Sequence, residues 1–257
     1  MIDIHSHLLP GIDDGPEWLG QSLHLALVAT DNGITHSVVT PHIHAGRYEN
    51  NAHIIKERLL ELQEALICHD IPLLLGMAAE VRIGPEILIL LEKNLIPFLG
   101  EYYGKQVMLL EFPHSHIPPG SEKLIHLLLN KGIRPIIAHP ERNKDVLRDV
   151  EKIAPFVDLG CLLQVTAGSI AGAFGAACQE RAQQLLERDW VTVLATDAHN
   201  LEHRPPDLKS GYLAAEKIVG ESLAWDLVYS NPWSIVASQF EDITATFTSN
   251  IRKCSVV

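Results

Sequence analysis

The sequence predicts an α/β fold, a distorted TIM-like barrel of seven parallel (β/α) units. Three observations carry this. Seven short apolar runs, rich in β-branched residues, recur along the chain with helix-length segments between them. Each run is apolar on both faces, as strands covered on both sides must be. Each run also leads into a polar residue suited to binding metal or lining a site: His5 and His7, His42, Glu80, Glu111, His139, Thr166, and Asp197 with His199. An open doubly wound sheet would alternate in the same way but has one switch-point crevice. Seven polar strand ends suit a closed ring with a single mouth. The Gly-rich dinucleotide fingerprint and the Gly-x-x-x-x-Gly-Lys phosphate loop are both absent.

The elements follow in order. Residues 1–4 form the first strand. Residues 21–32 read as a helix, with Gly33 as its C-terminal stop. The second strand covers 37–41, and residues 52–69 are an amphipathic helix with leucines at helical spacing. After a third strand at 73–77, residues 85–93 make a shorter helix with Pro85 in its first turn. The fourth strand, 107–110, precedes a helix over 121–130 that starts at Ser121 and ends before Gly132. The fifth and sixth strands cover 135–138 and 162–165. A helix over 179–188 leads to the seventh strand, 191–196. Helices over 207–219 and 221–229 pack outside the barrel, and 232–240 closes one end. No linker or compositional shift divides the chain, so one domain is expected over 1–257, with the core barrel over 1–204 and C-terminal helices over 205–257.

With 257 residues, 47% of them hydrophobic, the chain can fill such a core. A net charge of -12 at pH 7 argues against a nucleic-acid surface, which needs clustered lysine and arginine. Part of that acid is available to bound cations. The N-terminus has no basic start, and Asp and His interrupt its apolar stretch, so it is no signal peptide. No apolar stretch is long enough for membrane insertion. Cys68, Cys161, Cys178 and Cys254 are scattered, as expected of reduced thiols in a cytoplasmic protein. None is followed by five residues and then Arg, so the loop of thiolate phosphatases is missing.

The strand ends carry the chemistry. His5 and His7 stand two apart, so alternation places both on one face. The turn after them offers Asp13 and Asp14. Aspartates in such turns commonly bond to nearby amides; Asp13 is expected to do that, and Asp14 to turn inward. His42 is followed by His44, Arg47 and Tyr48, which read as loop residues. Glu80 and Glu111 end apolar stretches, where an unpaired carboxylate is costly; a metal, or Arg82 in the case of Glu80, compensates. Bridged cations also remove the repulsion between the two carboxylates. His114 and His116, in a Pro-rich loop, read as rim residues. Arg142 and Arg204 are anion clamps able to fork onto a phosphate, although Arg142 has Glu141 beside it as an alternative partner. His5, His7, Asp14, His42, Glu80, Glu111, His139, Asp197 and His199 supply nine donors, enough for three ions with one bridging carboxylate. The mixed imidazole and carboxylate set suits manganese, with iron, zinc and cobalt as alternatives.

Six segments now carry a resemblance: Met-Ile-Asp-Ile-His-Ser-His-Leu-Leu-Pro-Gly-Ile-Asp-Asp-Gly-Pro, Thr-Pro-His-Ile-His-Ala-Gly-Arg-Tyr-Glu-Asn, Leu-Leu-Glu-Phe-Pro, Ile-Ile-Ala-His-Pro-Glu-Arg, Gln-Val-Thr-Ala-Gly-Ser and Ala-Thr-Asp-Ala-His. The chain resembles the polymerase and histidinol phosphatase (PHP) superfamily. Within it, the similarity is to bacterial manganese-dependent tyrosine-protein phosphatases encoded with capsule and exopolysaccharide genes. The resemblance runs from residue 1 to about Arg204. It implies the PHP barrel with a trinuclear site: His5, His7, Glu80 and Asp197 on one ion, Glu80, Glu111 and His139 on a second, and Asp14, His42 and His199 on a third. It also implies Arg142 and Arg204 as phosphate-binding residues, with a metal-activated hydroxide as nucleophile and His42 or His199 as proton donors through a bound water. The implied partner is a phosphotyrosine-bearing protein, the tail of a bacterial tyrosine kinase. The sequence departs from the family pattern near Glu80, where Gly is expected, at Ile43, which interrupts a His triplet, and at Thr166, where Asn is common. Two rival readings are a small-molecule phosphomonoesterase, such as a histidinol-phosphate phosphatase, and a non-catalytic metal-stabilised binding module.

Overall fold

Strands form where the apolar runs predict them. The computed structural model describes residues 1–241. Its strands are β1 (Ile2–Ser6), β2 (His36–Val39), β3 (His42–Ile43), β4 (Leu74–Met77), β5 (Glu80–Arg82), β6 (Gly100–Tyr102), β7 (Lys105–Glu111), β8 (Ile133–Ala138), β9 (Leu162–Thr166) and β10 (Val193–Ala195). Its helices are α1 (Leu19–Asp31), α2 (Ala52–Cys68), α3 (Glu86–Glu92), α4 (Ser121–Asn130), α5 (Lys144–Arg148), α6 (Ala154–Asp158), α7 (Ala167–Ile170), α8 (Ala176–Glu187), α9 (Leu208–Val219), α10 (Glu221–Trp225) and α11 (Asn231–Val236).

One parallel ladder runs β1-β2-β4 and another β10-β9-β8-β7-β5-β3, with the short β6 antiparallel on β7. The two ladders are parts of one ring. β2 resumes as β3 past Thr40 and Pro41, where the proline lacks the N–H a ladder needs. β4 resumes as β5 past Ala78 and Ala79. The ring closes where Asp197 N donates to His5 O (2.9 Å) and His7 N to Ala198 O (2.8 Å). Seven parallel strands thus surround one interior, as the seven runs imply.

Two apolar layers hold the ring. Ile2, Ile4, Val38, Leu109, Ile136 and Val193 fill its inside. Leu75, Leu110, Ile137 and Leu163 face outward onto Leu25 of α1, Ile55 and Leu62 of α2, Ile125 of α4 and Leu185 of α8. In α2 the buried positions Ile55, Leu59, Leu62, Ala65 and Leu66 keep helical spacing, and the Asn51 side chain caps its first turn by accepting from His53 N and Ile54 N. The segment expected to close one end does so: Ile235, Val236 and Phe240 join the inner cluster, and Gln239 accepts from Met77 N and donates to Leu99 O.

Some boundaries differ from expectation. The helix expected over 179–188 begins earlier, at Ala176, directly after Gly175, whose φ is +86. The helix expected over 221–229 splits into α10 and a π-helical turn, Asp226–Ser230. β3, β5, β6, α5, α6 and α7 were not expected at all. None exceeds five residues, too short for a hydrophobic period to register. The C-terminal helices expected up to 257 are described only as far as residue 241.

Gly100 tests the plug. Its φ is +149, and a Cβ there would lie 2.0 Å from Ile235 O. Gly100→Ala should lower the thermal midpoint by about 5 °C or more in calorimetry.

Candidate metal centre

A backbone irregularity aims the first two histidines. Ile2 and Ile4 belong to the inner cluster, so strict alternation would turn His5 and His7 away from the interior. The β1–β2 register shifts between Asp3 and Ser6. Such a bulge re-aims the side chains that follow it. Asp3 pins the irregularity: its buried carboxylate accepts from His5 N (3.3 Å), Thr196 N (3.0 Å) and Thr196 Oγ1 (2.5 Å). It therefore ties the end of β1 to the end of β10, where Asp197 and His199 follow.

His5 Nε2, His7 Nε2, Glu80 Oε2 and Asp197 Oδ1 converge. Both imidazoles stand 3.2–3.4 Å from both carboxylate oxygens and 3.3 Å from each other. Their outer nitrogens are already engaged, His5 Nδ1 with Gln164 Oε1 (2.8 Å) and His7 Nδ1 with Asp13 Oδ2 (2.7 Å). Both outer partners are acceptors, so each ring holds a proton at Nδ1, and on losing the second proton, which the neighbouring carboxylates help to retain, it would turn an Nε2 lone pair inward. Lone pairs and carboxylates do not gather in a buried pocket without positive charge between them. Ligand atoms about 2.0–2.1 Å from a shared tetrahedral centre stand roughly 3.3–3.4 Å apart. The donor set and its spacing fit a divalent cation.

Two further groups of possible ligand atoms merge with this one: His7, Asp14, His42 and His199, and His42, Glu80 and Glu111. β3 and β5 pair His42 directly with Glu80. His42 Nε2 and His199 Nε2 both lie 3.3 Å from Asp14 Oδ1, and His42 Nδ1 lies 3.0 Å from Glu80 Oε2. His139 stands outside these groups, and its Nε2 reaches Glu80 Oε1 at 2.8 Å. The nine expected donors thus meet at one mouth. These neighbourhoods overlap: His42 lies with Asp14 and His199 and also with Glu80 and Glu111, and His7 lies with Asp14 as well as with His5, Glu80 and Asp197. His42 Nδ1, Glu80 Oε2 and His199 Nε2 are buried and make ion contacts but no well-formed hydrogen bond, as candidate ligand atoms would. His139 and Asp197 both adopt left-handed backbone (φ 34 and 53), a conformation that costs about 1–3 kcal/mol and collects at functional sites.

The electrostatics show what a cation would replace. Burial disfavours charge on His42, yet Glu80 and Asp14 lift its pKa to about 10. Burial would raise Asp197 and Glu80, but His5 and Arg142 hold the first, and His5 and His42 the second, well below the usual carboxylate range. Burial, reinforced by Glu80, pushes Glu111 up to about 7 against the pull of His42 and Arg82. Burial and Arg142 bring His139 down to about 4, leaving the neutral imidazole that ligates metals.

Two guanidinium groups flank the centre. Arg142 Nη1 bonds Asp197 Oδ2, and its planar end lies over the Phe174 ring at 4.6 Å. Arg204 reaches Asp14 Oδ2 (3.4 Å) and Asp197 Oδ2 (3.9 Å). Glu141, the alternative partner for Arg142, is buried instead against Thr166 N and Ser169 Oγ. Arg82 compensates Glu111 (3.0 Å) rather than Glu80. Thr166 lies buried at the end of β9, its amide held by Glu141. His114 and His116 are exposed. Sequence reasoning missed three residues that orient ligands: Asp3, Asp13 and Gln164. Asp13 does bond a nearby amide, Gly15 N, but its other oxygen takes His7. A glutamine inside the apolar sixth strand was the one available signal for Gln164.

The capsular polysaccharide synthesis CpsB/CapC family model matches residues 1–237. The chain belongs to the CpsB/CapC family. The tyrosine-protein phosphatase YwqE of Bacillus subtilis is 35% identical over 227 residues, covering 88% of each chain. The tyrosine-protein phosphatase CpsB of Streptococcus pneumoniae is 32% identical over 248 residues, covering 93% of this chain and 99% of its own. A crystal structure from work on YwqE and CpsB, described there as metal-dependent tyrosine phosphatases, superposes with a TM-score of 0.86 at 33% identity, covering 93% of this chain and 95% of the other. An organophosphorus hydrolase, at 15% identity and a TM-score of 0.56, shares the fold alone.

Two outcomes follow for this CpsB/CapC member. A His42 with a pKa near 10 is protonated at pH 7 and must lose that proton to ligate, and the partly protonated Glu111 adds to the release. Manganese binding should therefore release about one proton or more at pH 7 and weaken as pH falls, which calorimetry in buffers of different ionisation enthalpy measures. Asp13→Ala frees the His7 ring and should weaken metal binding about 10–100-fold in chelator competition, with the fold intact by circular dichroism.

Proposed function

We propose that this chain is a metal-dependent protein-tyrosine phosphatase, a cytoplasmic enzyme that uses three divalent ions, manganese by preference. Its proposed partner is the phosphotyrosine-bearing tail of a bacterial tyrosine kinase that governs capsular or exopolysaccharide synthesis. The observation that carries the reading is the merging of three ligand groups beside two guanidinium groups that both reach Asp197. The relatives named as tyrosine-protein phosphatases support the substrate class. Among the described residues no helix is long and apolar enough to cross a membrane.

When bound, divalent cations supply an activated water nucleophile near neutral pH and offset charge on the phosphoryl oxygens. His5, His7, Asp14, His42, Glu80, Glu111, His139, Asp197 and His199 are the proposed holders. Arg142 and Arg204 turn from Asp197 to the phosphoryl oxygens, where a planar fork matches two acceptors at once. Phe174 keeps the Arg142 plane fixed during that exchange. A phenolate leaving group has a pKa of about 10, so it departs without a strong acid. His42 or His199 would return the proton through a bound water.

After chelation and reloading with defined metals, activity on a phosphotyrosyl peptide should vanish and return with manganese, and should exceed that on histidinol phosphate and other phosphoesters. Full activity in a metal-free, chelator-treated sample would sink the reading. Arg142→Ala should lower kcat/KM about 100-fold or more while metal content by elemental analysis stays unchanged.

A further inference from the structure

A cleft of 440 Å³ opens beside the metal centre, within the size range of small-ligand sites. Its walls continue the two loops that bring in Asp14 and His199. Gly15, Pro16 and Glu17 follow the first, Leu201 and Glu202 follow the second, and His199 itself lines the cleft. Gly15 is required here, since a Cβ would lie 2.4 Å from His7 O. The loop can therefore lie close against the end of β1, and His199, which lines the cleft, is the residue that the cleft and the centre share.

The lining has one charge sign among its acids and bases of fixed charge. Glu17 and Glu202 contribute carboxylates, His24 and His203 contribute imidazoles, and neither lysine nor arginine lines the cleft. Glu17 donates its amide to Gln21 Oε1, which fixes the wall without using the carboxylate. Glu202 is exposed and only loosely engaged, 3.9 Å from His203 Nε2. The exposed Leu201, with the buried Leu25 and Pro16 behind the wall, adds apolar surface. A long cationic side chain matches this combination, its methylene stem on the apolar surface and its charged head at the carboxylates.

We propose that this cleft receives the peptide on one side of the phosphotyrosine and selects lysine or arginine there over aspartate or glutamate. The proposal rests on the phosphotyrosine reading above. Exposed ion pairs are weak and screened by salt, so the selection is a modest one that ionic strength erases.

The test uses phosphotyrosyl peptides that differ by a single lysine or glutamate, placed before or after the phosphotyrosine. Each kcat/KM is divided by that for free phosphotyrosine on the same enzyme preparation. On one side the lysine peptide should exceed its glutamate counterpart by about three- to tenfold at low ionic strength. High salt should shrink that ratio, and Glu17→Gln combined with Glu202→Gln should bring it close to one. Equal rates on both sides, or a preference that survives in the double variant, would overturn the proposal. No turnover of any phosphotyrosyl substrate, free phosphotyrosine included, would overturn the phosphotyrosine reading and this proposal with it.

Discussion

Two imidazole lone pairs and two carboxylate oxygens meet in a buried pocket with 3.2–3.4 Å between the imidazoles and the carboxylates. Removing one partner from such a buried charge group leaves the rest uncompensated, at a cost of about 3–5 kcal/mol. In the protein without cations, protons on the histidines and the Arg142 guanidinium supply the positive charge. A divalent cation held by His5, His7, Glu80 and Asp197 would supply it in place of those protons. The need for positive charge among these atoms is the constraint on which the site depends. It explains why His42 is held so basic and Asp197 so acidic in one pocket.

The closed ring is the means of meeting that constraint. His5 and Asp197 are distant in sequence, yet the last ring-closing hydrogen bond runs between their own backbones, Asp197 N to His5 O. The bulge in β1 and the carboxylate of Asp3 set which way the first pair of histidines points. The breaks after β2 and β4 serve the same end. They restart each strand at a ligand, so that His42 and Glu80 are neighbours across the β3–β5 pairing. The apolar plug formed by Ile235, Val236 and Phe240 closes the opposite end of the ring.

A surrounding layer fixes the ligands and separates like charges. Gln164 and Asp13 hold the outer nitrogens of His5 and His7, which sets the tautomer each presents. Arg82 sits against Glu111, the carboxylate that burial and Glu80 make hardest to ionise. Glu141 locks the turn carrying Arg142 onto the start of α7, and Phe174 supports the guanidinium itself. Such contacts determine how firmly Arg142 and the candidate ligands are aimed.

The sequence by itself pointed to the fold class and to nine candidate donors. Both are written in local patterns: apolar runs at strand length, helical spacing between them, and His or carboxylate residues at run ends. Its resemblance to a family picked out Arg142 and Arg204, which residue pattern alone left open to surface pairing. Only the tertiary structure decided which donors share a neighbourhood, because that depends on register. The shift between Asp3 and Ser6 is a single-residue event that no periodicity announces. The tertiary structure likewise gave Asp13 to His7, Gln164 to His5 and Arg82 to Glu111. Each of these roles is created by a partner far along the chain or across a turn. A residue whose function is to orient another has no local signature of its own.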